Sequence, residues 1–355
     1  MVLKKLLSEA VKRGASDLHL VAGIPPTLRI NGDIIVMAHD KLSPDDTKKI
    51  IYEILNEEQI KKFEENWELN LSMTLSELSR LRINVYKERG NVEAAIRLIP
   101  NEIRSLKELG LPKVVEELTR KPNGLILVTG PTGMGKTTTL AAMIDLINRD
   151  ERKYRIVTIE DPIEYLHEHL TSVIIQREVG NDTKSFNEAL RQVLRQDPNV
   201  ICVGEMRDFE TISIALTAAE TGHLVFATLH TPDAIQTVNR IVDVFPPYQQ
   251  EQIRIQLAYT IQGVIAQRLL PRADGKGRVL AVEILIANSA VRNLIREGNT
   301  IQIETVITTS SSAGMIPLDK SLMNLYAEGV ITYDMALAHA KYPLDFKSFK
   351  KKEFY

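Results

Sequence analysis

The run Gly130-Pro131-Thr132-Gly133-Met134-Gly135-Lys136-Thr137 fills every position of the G-x-x-x-x-G-K-[ST] phosphate loop. Glycines let successive backbone N–H groups close around phosphate oxygens, and the N-terminus of a following helix adds the positive end of its dipole. In such a loop Lys136 reaches the β- and γ-phosphates and Thr137 holds Mg²⁺. ATP with Mg²⁺ is therefore the expected ligand, contacted from Gly130 through Thr138.

Further reactive side chains follow apolar runs. Glu160, Asp161 and Glu164 come after Ile159, Glu205 after Val203-Gly204, and His230 after Thr228-Leu229. Glu205 is the expected group for positioning or deprotonating an attacking water, a role typically worth about 10²–10⁴ in rate. The usual aspartate at the end of that strand is absent. Water and Mg²⁺ must then be shared among Glu205, Glu164, Glu160 and Asp161, and the sequence leaves that division open. His223 and His230 bracket one strand and lie roughly 23 Å apart if it is extended, too far to share a metal ion. His230 falls at the ligand-facing end, where it can sense a γ-phosphate. Arg80, Arg82, Arg89 and Arg97 cluster early in the chain, and Arg191, Arg195 and Arg207 surround the Glu205 segment. Their placement suggests an oligomer, since phosphoryl transfer draws on extra cations worth about 10³–10⁵ in rate.

These groups need an open α/β sheet, which binds ligands at the carboxyl ends of its strands. Strands are expected over 125–129, 155–159, 172–176, 200–203 and 224–228, with a helix after the phosphate loop and another over 211–221 stopped by Gly222. The first hundred residues read as a smaller α+β domain. Leu3, Leu6, Leu7 and Ala10 keep helical spacing up to Gly14, and a half-exposed strand surrounds Leu18 and Leu20. A hairpin over 27–37 turns at Asn31-Gly32, and Ser43-Pro44 caps a helix running to about Leu55. Strands over 80–87 and 91–98 meet at Arg89-Gly90. The expected organisation is a domain over 1–99, a linker over 100–112, an ATPase core over 113–280 and a helical region over 281–355. That last region includes a loose loop over 308–314 and a solvated basic tail over 347–352.

Composition narrows the class. The 355 residues are 44% hydrophobic and 25% charged with a net charge of −2, ordinary usage for a globular protein and no global pull toward nucleic acid. One cysteine, Cys202, excludes an intrachain disulfide and a four-cysteine zinc site. No apolar run approaches the roughly 18 residues of a membrane span, and no signal-peptide core follows the first residues. A cytoplasmic location is expected.

Taken together the motifs resemble the secretion-type ATPases of type II secretion and type IV pili, most closely their pilus-retraction branch. The resemblance runs along nearly the whole chain. Gly14-Ala15-Ser16-Asp17-Leu18-His19-Leu20 looks like the family's opening segment, and Glu160-Asp161-Pro162-Ile163-Glu164-Tyr165 like its Asp box. Val203-Gly204-Glu205-Met206-Arg207-Asp208 looks like its atypical Walker B, and Thr221-Gly222-His223 through Thr228-Leu229-His230-Thr231 like its His box. Residues 290–297 are similar to a C-terminal helix element tied to retraction. The resemblance implies a PAS-like N-terminal α+β domain, a RecA-like P-loop NTPase domain and a helical C-terminal region. It also implies a homo-hexamer whose two domains move against each other. By the same resemblance Arg82 and Arg97 reach phosphates from the first domain and Arg195 and Arg207 from the second, and Glu164 joins Glu205 in catalysis and Mg²⁺ positioning. The ring would act at the inner-membrane base of the pilus through a platform protein, with no direct nucleic-acid partner and no transmembrane segment.

Three positions depart from the family pattern: Met134 where serine is common, Val291 for isoleucine, and Asn70 where an aspartate is expected. Rival readings are a pilus-assembly or type II secretion ATPase, a nucleic-acid translocase on the same core, and a nucleotide-gated scaffold that does not hydrolyse. Assembly ATPases usually carry an additional N-terminal domain and often a four-cysteine zinc element. A start close to the opening segment and a single cysteine favour the retraction branch.

Overall fold

The computed structural model describes residues 2–30, 32–75, 79–99, 102–344 and 346. The expected turn residue Asn31, the first linker residues Pro100 and Asn101, and the basic tail over 347–352 lie outside them. The described chain forms two units: one up to Ile103 together with Pro162–Leu166, the other from Arg104 to Asp161 and from His167 onward.

The first unit is an antiparallel six-stranded sheet with helices. Its strands are β1 (Asp17–Leu20), β2 (Thr27–Ile30), β3 (Asp33–Val36), β4 (Glu68–Leu75), β5 (Ser79–Glu88) and β6 (Asn91–Ile99), in the order β3-β2-β1-β6-β5-β4. Alternation sets its two faces. Leu18, Leu28, Ile83 and Ile96 are buried in a core shared with Leu3, Leu6, Leu7 and Ala10 of the helix Val2–Lys12. Ser43 forms the expected capping box with Asp46, but its helix stops at Tyr52, and a second helix, Glu57–Asn66, follows with its own cap at Asn56. Arg89 and Gly90 both take positive φ in the β5–β6 turn, at 48° and 85°.

The second unit is built on a seven-stranded sheet of β7 (Gly124–Thr129), β8 (Arg155–Glu160), β9 (Val173–Glu178), β10 (Val200–Val203), β11 (Leu224–Leu229), β12 (Ile261–Pro271) and β13 (Arg278–Ile286). The order is β13-β12-β7-β11-β10-β8-β9, parallel except for the β12–β13 pair. Both faces are covered, so strands such as β7 and β11 are buried at every position. All five strands expected in the core are present, and β12 and β13 extend the sheet. The expectation of helices from about residue 281 is corrected, because β13 continues to Ile286 and the helices begin at Ser289. The expected loop over 308–314 is likewise replaced by the end of the helix Ile303–Thr309 and a 3₁₀ turn, Ser311–Ala313. Leu106 and Leu111, read as linker, are buried in the core of this second unit.

Candidate active site

Parallel pairing aligns the carboxyl ends of β7, β11, β10 and β8, which are neighbours in the sheet. The phosphate loop leaves β7, and Gly130, Gly133 and Gly135 take φ of 142°, 82° and 81° there, values an L side chain rarely adopts. The helix Lys136–Asn148 starts directly after Gly135. Lys136 is nearly buried, and its Nζ donates to the carbonyls of Gly130 at 2.7 Å and Pro131 at 3.1 Å. Burial pushes this ammonium below its ordinary pKa, and the charge of Glu205 pulls it back up. Met134 turns its thioether toward β12, where Sδ accepts from the N–H of Leu269 at 3.2 Å. That contact ties the loop to β12.

Glu205 stands just past β10. Gly204 N–H donates to Ile159 O on β8 at 2.8 Å and Met206 N–H to Thr228 O on β11 at 3.0 Å, fixing the backbone on both sides. The Glu205 carboxylate lies between two basic side chains, with Arg207 Nη2 at 2.7 Å from Oε2 and His230 Nε2 at 3.0 Å from Oε1. Burial raises the pKa of this carboxyl, but Arg207 and His230 together outweigh burial and hold it below its usual value. On the other edge of the imidazole, Nδ1 is 3.3 Å from Oγ1 of Thr132. A continuous polar chain thus runs from the phosphate loop through Thr132 and His230 to Glu205 and Arg207.

The remaining acidic groups separate. Glu160 turns onto its own sheet, where Oε1 accepts from Thr158 Oγ1 at 2.6 Å and Gln176 Nε2 at 3.1 Å. Asp161 is exposed and its charge is felt by Arg207. Glu164 belongs to Pro162–Leu166, which folds with the first unit, where Arg80 Nε donates to Ile163 O at 2.6 Å. Among the described residues no three His, Cys, Asp or Glu side chains converge on a metal position. In a phosphate loop of this type Mg²⁺ would be held by one hydroxyl, the phosphates and water. Thr137, half-buried in the first turn of the helix, has that place in the loop.

His223 and His230 sit at opposite ends of β11, as spacing required, and His223 Nδ1 contacts Ala218 O at 3.0 Å. Arg195 is exposed after the helix Phe186–Val193, and Arg82 and Arg97 lie on β5 and β6 of the first unit. Sequence reasoning missed Gln267, a fully buried amide on β12 whose Nε2 donates to Thr139 Oγ1 at 2.6 Å behind the phosphate loop. A glutamine inside an otherwise apolar strand was the available signal. It also missed the Glu205–Arg207 ion pair, because spacing alone does not fix which way two side chains turn past a strand end.

A model of the family "Type II/IV secretion system protein" matches residues 1–325. The "Type IV pilus retractation ATPase PilT" of Pseudomonas aeruginosa is 46% identical over 346 residues, 98% of this chain and 100% of that protein. A "Twitching motility protein" of Neisseria gonorrhoeae is 46% identical over 340 residues, 96% of this chain and 90% of that protein. Among solved structures, the pilus retraction motor PilT with bound ADP superposes with a TM-score of 0.91 at 50% identity, covering 97% of this chain and 98% of that one.

Proposed function

Because this chain belongs to the type II/IV secretion system protein family, we propose that it is a P-loop ATPase that powers retraction of type IV pili. The observation that carries the catalytic part is the placement of Glu205, held by His230 and Arg207 beside a complete phosphate loop. The loop from Gly130 to Thr138 binds the phosphates through backbone N–H groups, and Lys136 exchanges its two carbonyl partners for the β- and γ-oxygens. Thr137 would hold Mg²⁺ together with the phosphates, and the ion would supply charge neutralisation during phosphoryl transfer. Glu205 stays ionised at neutral pH, which suits orienting a water by accepting its hydrogen bond more than deprotonating it outright. His230, bonded to both Thr132 and Glu205, reports the state of the loop to the carboxylate.

Arg207 and Arg195 supply cations from the second unit, and Arg82 and Arg97 from the first. Glu164 supports Glu205. The working form is a homo-hexamer in which the nucleotide cycle drives movement of the two units. It lies on the cytoplasmic side of the inner membrane and acts through a membrane-embedded platform protein. Among the described residues no helix is long and apolar enough to cross a membrane. Retraction, rather than assembly or secretion, is supported by the likeness to a pilus-retraction ATPase and a twitching motility protein over nearly their whole lengths, and by the retraction-motor structure. Glu205→Gln is expected to retain ATP binding while turnover falls about 10²–10⁴-fold. Equilibrium nucleotide binding and steady-state hydrolysis measured on the same purified variant check this, and unchanged turnover would remove Glu205 from the mechanism.

A further inference from the structure

One row of paired positions crosses the polar face of the first unit's sheet. Arg29 on β2 pairs with Asp17 on β1, Asp17 with Arg97 on β6, Arg97 with Arg82 on β5, and Arg82 with Ser72 on β4. Arg29 and Arg97 therefore flank Asp17 in the register, and Arg82 lies one strand beyond Arg97. Arg82 and Arg97 stand directly opposite each other, a like-charge arrangement that disfavours the sheet. Asp17 is nearly buried, with 12% of its side chain exposed against 59% for Arg97. Its Oδ1 accepts from Arg97 Nε at 3.0 Å and its Oδ2 from Ser16 Oγ at 2.8 Å.

Stability accounts poorly for this arrangement, since ion pairs with an exposed partner contribute little and a desolvated carboxylate is costly. The geometry has a different consequence. Asp17 occupies only the Nε edge of Arg97, and the two terminal nitrogens make no hydrogen bond among the described residues. Those nitrogens are the edge that binds phosphate oxygens in pairs.

We propose that Asp17 is the positioning residue of Arg97, fixing its guanidinium so that the free edge is presented to the phosphates of bound ATP. This rests on the phosphate role given to Arg97 above. Asp17 also offsets the repulsion between Arg97 and Arg82, so that both cations can point the same way before an anion arrives.

The test is a double-mutant cycle on the purified full-length chain: wild type, Asp17→Asn, Arg97→Ala and the double variant. ATP hydrolysis and thermal unfolding are measured on each. The amide introduced by Asp17→Asn keeps the shape and an acceptor for Ser16 but lacks the charge. This variant is expected to lower kcat about tenfold with KM for ATP little changed, and to have no further effect in the Arg97→Ala background. Wild-type kcat or a raised kcat in Asp17→Asn, with Arg97→Ala impaired, would overturn the positioning role alone. Equal slowing in both backgrounds would make Asp17 a structural residue and overturn it too. Wild-type kcat in Arg97→Ala would overturn the phosphate role on which the inference rests.

Discussion

At the scale of single residues, charge and burial select which groups stay ionised. Glu205 is held below its usual pKa by Arg207 and His230 despite its partial burial, whereas burial lowers the pKa of Lys136 and the charge of Glu205 offsets part of that. His167 shows burial without such compensation. Its Nδ1 is buried with no hydrogen-bond partner, and burial pushes its pKa from 6.5 down to about 4, with the charge of Asp145 offsetting only part of the effect. Between those two values the unfolded chain takes up a proton that the folded chain refuses, so stability falls as pH drops from about 6.5 toward 4 and the contribution is intact above that window. His167→Asn should therefore lose less stability than wild type across the same interval. Denaturant titrations at pH 7, 5.5 and 4.5 read the difference, and parallel losses in the two proteins would contradict the burial argument. Of these residue-level features, the phosphate loop and Glu205 were legible from type and spacing. The pairing of Glu205 with Arg207 and His230 was not, because it depends on which way side chains turn at the ends of two different strands.

At the scale of elements, the loop after β7 is shaped by what its backbone must approach. A Cβ on Gly130 would stand 2.6 Å from the carbonyl oxygen of Gln267 on β12, whereas one on Gly133 would meet nothing within 4 Å. Both positions have left-handed φ, which alone costs of the order of 1–3 kcal/mol for a side-chain-bearing residue. Gly130→Ala should lower the unfolding midpoint clearly more than Gly133→Ala, because only the first also pushes the loop off β12. Equal shifts in a thermal melt would show that close packing against β12 does not constrain the loop. The same strand explains what could not be read beforehand. The helix Pro247–Thr260 passes straight into β12 at Ile261 with no glycine, proline or turn residue between them, so the change of period leaves no punctuation. β4 carried a legible signal that was overlooked: Leu69, Leu71, Met73 and Leu75 alternate with Asn70, Ser72 and Thr74 at the period of a strand with one buried face. β7, β8, β10 and β11 announced themselves as short apolar runs, which is how strands buried on both faces read.

At the scale of the whole molecule, the proposed chemistry divides its groups between two units of one chain. Lys136 and Glu205 lie in the second unit and Arg82 and Arg97 in the first. If the arginines of one copy serve the nucleotide of another within a hexamer, two different inactive variants can complement each other. Rings assembled from Lys136→Ala and Arg97→Ala subunits should hydrolyse ATP faster than rings of either variant alone, since some interfaces then pair an intact loop with an intact arginine. Absence of any recovery in mixed rings would place the arginine and the loop in the same copy. At this scale the sequence showed the switch to alternating strands and helices after about residue 114, but nothing in it showed that Pro162–Leu166 folds with the first unit.

The central claim joins the Glu205 site to pilus retraction, and counting surface pili on cells whose only copy carries Glu205→Gln tests both together. The account predicts normal protein levels with more or longer pili that do not retract. Bald cells would contradict it and make the chain an assembly ATPase.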